Sequence, residues 1–142
     1  MATRTDPLRG FRFLVEIDGI AAGGFLRAKG LVREVKYESQ REGGVNHYDH
    51  KLFTQVSHPA VVLERGLAFD LLWNWAHDVS EGRIVRKTIS VRLLDERGGK
   101  GWTWHVDHAF PVKWSCADLD ANSSQVLMES VEFAHHGLRK GT

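Results

Sequence analysis

Eight histidines, one cysteine and several Ser/Asp neighbours are the residues in this chain that could do chemistry. Metal binding is the first chemistry to test. His105 and His108 lie three apart in an alternating stretch, so a strand sends them to opposite faces. His135 and His136 are adjacent and diverge for the same reason. His47 and His50 fall in a polar stretch and could share an ion only if the chain folded tightly there. No H-E-x-x-H occurs, and no histidine pair sits at i, i+4 of a helix. Cys116 is the single cysteine, which excludes an intramolecular disulfide and a thiolate-rich zinc site. It reads as a small buried apolar residue of a strand, with a disulfide between copies left open. Asp107, His108 and Ser115 invite a hydrolase reading. Yet no G-x-S-x-G elbow is present, and no serine sits on a strand-to-helix turn. Gly23-Gly24, Gly43-Gly44 and Gly98-Gly99-Lys100-Gly101 match neither a P-loop nor a dinucleotide fingerprint and read as turns. The expectation is no catalytic residue, no metal and no cofactor.

The elements that must position these residues are mostly strands. Phe11, Phe13, Val15 and Ile17 share one face of a first strand. A short strand over 24–29 precedes Gly30, a bend or bulge. Alternation then runs through Leu31, Arg33, Val35 and Tyr37. Residues 59–65 form a strand begun by proline. Residues 84–95 form a long strand with Ile89, Val91 and Leu93 on one side. The turn at 96–101 returns the chain through 102–108 as a hairpin. Residues 109–116 and 125–136 supply two more strands. Ala68, Leu71, Leu72, Trp75, Ala76 and Val79 recur at helical spacing and predict one helix over about 67–80, stopped by Gly82. That helix plugs or flanks a barrel. Of five tryptophans, Trp75 lies on the apolar stripe, and Trp73 sits about 100° away from it. Trp102 and Trp104 share a strand face, suited to core or to a subunit interface. Trp114 lies on a further strand. Residues 39–51 are the one long polar segment without a clean strand pattern and read as a loop.

The 142 residues suit one domain, with no repeat and no linker. A chain of this size buries about 68–70% of its unfolded surface, enough for a core. Nineteen Lys/Arg against eighteen Asp/Glu leave a net charge of +1. Such a balance offers no electrostatic footprint for nucleic acid or anionic membrane, and it lets copies approach closely. Residues 1–10 hold no apolar signal region, and no apolar run approaches the ~18 residues of a membrane span. Synthesis in the cytoplasm is expected.

An ordered set of motifs spans nearly the whole chain. It opens with Asp6-Pro7-Leu8-Arg9-Gly10-Phe11 and the strand that follows. Tyr37-Glu38-Ser39-Gln40-Arg41-Glu42-Gly43-Gly44-Val45-Asn46 comes next, then Leu63-Glu64-Arg65-Gly66-Leu67 and Leu72-Trp73-Asn74-Trp75. It closes with Ala109-Phe110-Pro111-Val112-Lys113-Trp114, Asp118-Leu119-Asp120-Ala121-Asn122-Ser123-Ser124 and Glu132-Phe133-Ala134-His135-His136-Gly137-Leu138. Over residues 6–138 this resembles the tail-tube family of contractile phage tails and phage-derived injection systems. The resemblance implies a mainly β fold, a small barrel or sandwich with one flanking helix, in a single domain over 1–142. It implies a structural, non-enzymatic subunit whose six-fold rings stack into a hollow tube. The implied partners are other copies, the tail sheath protein, baseplate and tail-terminator proteins and the tape measure protein. DNA or protein cargo would pass through the lumen without sequence-specific binding, and no membrane partner is implied. Assembly would occur in the host cytoplasm, ending in a virion tail or an extracellular particle. Residues 1–8 match an extended N-terminal segment and 39–51 a protruding assembly loop. The implied interface candidates are Asp6, Pro7, Leu8, Phe11, Arg41, Glu42, Gly43, Gly44, Asn46 and His47. Val45 and the histidine-rich stretch 47–58 depart from the usual family pattern. Two other readings stay open: a tube-initiator or terminal homologue joining tube to baseplate, and a small monomeric β-barrel binding domain.

Overall fold

The computed structural model describes residues 12–22, 25–40, 50–66, 70–94, 100–122, 124 and 126–141. Alternation in the sequence becomes two packed sheets that share one long strand. The first sheet runs in the order β2 (Ile20–Ala21), β1 (Arg12–Ile17), β7 (Lys87–Leu94), β8 (Lys100–Cys116), with β10 (Gly137–Gly141) on the far side of β8. The second continues from β8 through β9 (Met128–Ala134) and β6 (Val61–Gly66) to β3 (Arg27–Lys29). All pairings are antiparallel. Apolar residues at every second position turn inward. Val15, Ile17, Ile89, Val91, Val106, Val61, Leu63, Val131 and Phe133 make the core.

The corner between the two sheets lies in β8. Its first half pairs with β7 and β10, and its second half with β9. At the bend His108 has φ 54°, a left-handed conformation unusual outside glycine. Sequence alternation suggests two strands, over 102–108 and 109–116. The backbone instead passes through the corner as one strand, because pairing resumes on either side of a single twisted residue.

The single helix is α1 (Leu71–Ser80). Leu72 and Trp75 are buried, and the Trp75 ring meets Phe133 at 5.4 Å between centroids. Trp75 Nε1 donates to the Val85 carbonyl at 2.9 Å, tying α1 to the segment ahead of β7. Gly82 at φ 87° ends the helix as expected. The helix thus flanks the sandwich beside β8.

A two-stranded sheet of β4 (Glu34–Gln40) and β5 (His50–Ser57) is paired only within itself among the described residues. Gly30, at φ 84°, turns the chain out of β3 toward this hairpin.

Several expectations need correction. The strand expected over 84–95 starts at Lys87, and residues 83–86 lead into it irregularly. The loop expected over 39–51 gives up its two ends to strands, since β4 runs to Gln40 and β5 begins at His50. β2, β5 and β10 lie outside the expected strands. β10, Gly-Leu-Arg-Lys-Gly, has too few apolar residues to show a period. β5 lost its signal to a bulge. Cys116 is the last residue of β8, in a strand as expected, but it is exposed and not buried.

Candidate functional site

The hairpin carries the first candidate surface. In β4–β5, Val35 stands opposite Val56 and Tyr37 opposite Phe53. The register slips between Lys36 and Tyr37, so Thr54 is passed over and Phe53 joins the Val56 face. All four side chains are exposed, Phe53 by 66%. Lys51 Nζ lies 5.1 Å above the Tyr37 ring on the same side. The opposite face is mostly polar: Glu34, Lys36 and Glu38 pair with Ser57, Gln55 and Leu52. The result is an amphipathic hairpin whose apolar face has no cover within the described chain.

The second surface lies between α1 and the C-terminal half of β8. Trp73, off the buried stripe and 49% exposed, meets Trp114 edge to face at 4.8 Å between centroids. Pro111, Val112, Ala76 and Val79 complete an open cleft of about 440 Å³. Past Ala109, β8 is paired on one side only among the described residues, with β9.

Beneath the cleft sits a buried polar cluster. Arg65 and Glu129 are cross-strand partners on β6 and β9, 2% and 0% exposed. The Arg65 Nε donates to Glu129 Oε1, and Arg65 Nη1 donates to the Ala22 carbonyl at 2.7 Å. Trp114 Nε1 donates to Glu129 Oε2 at 2.9 Å. The guanidinium lies 5.2 Å from the Phe25 ring centroid. Both carboxylate oxygens are engaged by the fold itself, and neither is aimed at a cleft where substrate could bind. The cluster joins β6, β8, β9 and the segment after β2.

His105 and His108 on β8 and His135 and His136 in the β9–β10 turn each have their own neighbours. His135 is buried and uses both ring nitrogens: Nε2 donates to the Pro59 carbonyl at 2.9 Å, and Nδ1 accepts from the Gly137 N–H at 3.2 Å. His136 points elsewhere, accepting from Arg86 Nη1 at 3.1 Å and meeting His108 at 5.5 Å. His105 pairs with Ser90 Oγ at 2.8 Å. Among the described residues no group of three or more His, Cys, Asp or Glu could hold a metal. The supposed hydrolase trio is also apart in function. Asp107 binds Arg139 through two contacts, at 2.7 and 3.1 Å, and Ser115 Oγ donates to the Ser130 carbonyl at 3.5 Å. The Asp107 carboxylate raises the Arg139 pKa above its ordinary value, through the hydrogen bond first and Coulomb attraction second.

Both sheets carry ion pairs. On the first sheet Arg92 pairs with Glu16 at 3.3 Å and Arg139 with Asp107. On the second, Arg27 and Lys29 flank Glu64 at 3.6 and 3.3 Å.

Asp6, Pro7, Leu8, Phe11, Arg41, Glu42, Gly43, Gly44, Asn46 and His47 all lie outside the described residues. The described strands β4 and β5 do bracket the 41–49 segment, so that segment joins the two arms of the amphipathic hairpin. Sequence reasoning missed the hairpin face and the Trp73–Trp114 cleft. The tryptophan off the helical stripe was the available signal for the cleft.

The family model of the T4-like virus tail tube protein gp19 matches residues 9–139. A chain in the structure of the anti-feeding prophage baseplate, 6-fold symmetrised, is 32% identical, with TM-score 0.79 over 99% of this chain and 97% of that one. A chain from the sheath–tube complex of an extracellular contractile injection system, in its extended state, is 21% identical, with TM-score 0.84 over 95% and 91% of the two chains. Hcp1 from Flavobacterium johnsoniae is more distant, at 16% identity and TM-score 0.58 over 92% and 94%. No curated protein sequence matches significantly.

Proposed function

This chain belongs to the T4-like virus tail tube protein family, and on that premise we propose that it is a structural subunit of the inner tube of a contractile tail or injection particle. The family is one of tail tube proteins, and the structural neighbours come from baseplate, sheath–tube and sheath/tube terminator structures of an anti-feeding prophage and an extracellular contractile injection system. The observation that carries the reading for this chain is the unpartnered apolar face of the β4–β5 hairpin. An isolated two-stranded ribbon is marginal in water unless something covers it. A second copy is that cover. Six-fold rings form and stack head to tail, and an open heterologous contact then propagates the tube. The N-terminal residues Asp6 to Phe11 and the loop residues Arg41 to His47 extend this contact between subunits or rings. The sheath lies outside the tube, and baseplate and terminator proteins meet its ends.

The chain works mechanically, as a rigid conduit without bond chemistry. Negative-stain microscopy and light scattering across a concentration series test the assembly. Annuli and rods are expected. A strict monomer at every concentration, and in the presence of sheath and baseplate proteins, overturns it.

One observation favours a second reading within the same class. The 32% identical neighbour comes from a baseplate structure, which fits a subunit at the foot of the tube. Such a subunit gives single rings that bind baseplate protein and do not stack on themselves, whereas a main tube subunit gives rods.

A further inference from the structure

We propose that the turn between β9 and β10 is an acid-opened latch: His135 and His136, both neutral, hold the C-terminal strand β10 against β8, and protonating them releases it. The latch is a property of the fold and holds whether or not the chain builds a tube.

The hydrogen-bond donors at the turn fix the protonation of both rings. A backbone N–H and a guanidinium can only donate. The Gly137 N–H donates to His135 Nδ1 at 3.2 Å, and Arg86 Nη1 donates to His136 Nε2 at 3.1 Å. Each of those ring nitrogens accepts and carries no proton, so each imidazole is neutral. In His135 the ring proton is then on Nε2, which donates to the Pro59 carbonyl at 2.9 Å. Because His135 is 7% exposed, water does not stand in for a lost partner.

A second proton on either ring meets a donor instead of an acceptor. On His135 it opposes the N–H of Gly137, the first residue of β10. On His136 it sets a cation 3.1 Å from Arg86. The surroundings already lean positive. The His58 ring lies 5.5 Å from His135, and the His108 ring 5.5 Å from His136. Arg33 donates to the Leu138 carbonyl from the segment ahead of β4. His105 stands opposite Arg139 across the β8–β10 pair and bonds Ser90. Among the described contacts at the turn the one carboxylate is Asp107, and Arg139 of β10 engages both its oxygens. New positive charge therefore finds repulsion, and the nearest anion is already committed.

β10 is the strand such a change can free. It has five residues, pairs with β8 alone among the described residues, and buries one large apolar side chain, Leu138. Opening it is local and leaves the other pairings of the two sheets in place. The sign follows from linkage: the closed turn excludes protons that the open turn accepts, so acid favours opening. A free imidazole titrates near about pH 6.5. At about pH 5 each ring that must be neutral in the closed state shifts the balance toward the open one by up to about 30-fold.

Hydrogen exchange of the full chain, read by mass spectrometry at about pH 7.5 and about pH 5 and normalised to intrinsic rates, tests this. Protection of residues 137–141 should fall roughly tenfold or more at the lower pH, while β9 keeps its protection. His135→Asn retains an acceptor near the Nδ1 position, His136→Gln retains one near Nε2, and neither side chain titrates. The double variant should show the same β10 protection at both pH values. Wild-type protection that is unchanged at about pH 5 overturns the latch. An equal acid loss in the double variant assigns the effect to His58, His105 or His108 and also overturns it. Should the double variant fail to fold, imidazole 15N shifts of the wild-type chain decide. His135 Nδ1 should be unprotonated at about pH 7.5 and gain its proton over the range in which β10 loses protection. A ring that protonates while β10 stays protected overturns the proposal.

Discussion

Among single residues, Glu129 has the largest predicted effect. Its carboxylate is wholly buried and is held by Arg65 and Trp114. Removing one member of a buried ion pair strands the other charge, at about 3–5 kcal/mol. Arg65→Met should therefore unfold at much lower denaturant than wild type. The double variant Arg65→Met with Glu129→Met should recover most of that loss, because the stranded carboxylate is gone. Urea unfolding of the single and double variants measures the non-additivity directly. Gly30 is the second sensitive site. Its φ is 84°, and a Cβ there would run into the Ala60 carbonyl oxygen. Gly30→Ala should cost about 1–3 kcal/mol in the same assay. Arg139 supplies a contrasting expectation. Its pKa is raised by Asp107, so the stabilisation is complete below the ordinary guanidinium pKa and is lost only as pH rises beyond it. The difference in Tm between wild type and Arg139→Gln should therefore stay flat across about pH 6–9. A slope in that window would mean that another titrating group is coupled to the pair.

At the scale of elements, the hairpin and its loop separate folding from assembly. β4 and β5 pair only with each other among the described residues, and the core lies in the sheets they leave. Replacing residues 41–46 with a short Gly-Ser linker should keep circular dichroism and Tm close to wild type while shortening or abolishing tubes. Ordering about five backbone residues in the assembled state costs on the order of 5–10 kcal/mol, so contacts from a neighbour must exceed that. A linker variant that unfolds, or one that makes wild-type tubes, shows that the loop is not an assembly element. Charge reversal at Arg41 or Glu42 should act more mildly and with salt dependence.

For the whole molecule, paired charges on both sheets and a net charge of +1 remove long-range repulsion between copies. Raising salt should then change the assembly threshold of the wild-type chain little, since apolar contacts carry it. A strong loss of tubes between about 50 and 500 mM salt in light scattering would assign the joint to ion pairs instead. The chain is also expected to carry no stoichiometric metal. Elemental analysis of tag-free protein checks this, and a transition metal whose chelation unfolds the chain would overturn it.

Local pattern was enough to read the core strands, the helix and its stop. Val15, Ile89 and Val131 are buried because every second residue of a half-buried strand must leave water, and Leu72 and Trp75 follow the helical period for the same reason. The ordered motifs running from Asp6 to Leu138 point to the family that the comparisons show. Sequence could not give the features that depend on what lies opposite in space. Phe53 joins the Val56 face through a bulge, which reverses the parity that period-2 reading relies on. β8 stays one strand through His108 because β9 takes up its pairing on the far side of the bend from β10. Cys116, expected in the core, is exposed at the end of its strand. Arg65 and Glu129, both charged and so expected at the surface, are buried because cross-strand register sets them against each other with Trp114 beside them. Alternation and helical period are properties of one element, legible along the chain. Register and corners arise only when distant elements pair, and there tertiary structure decides.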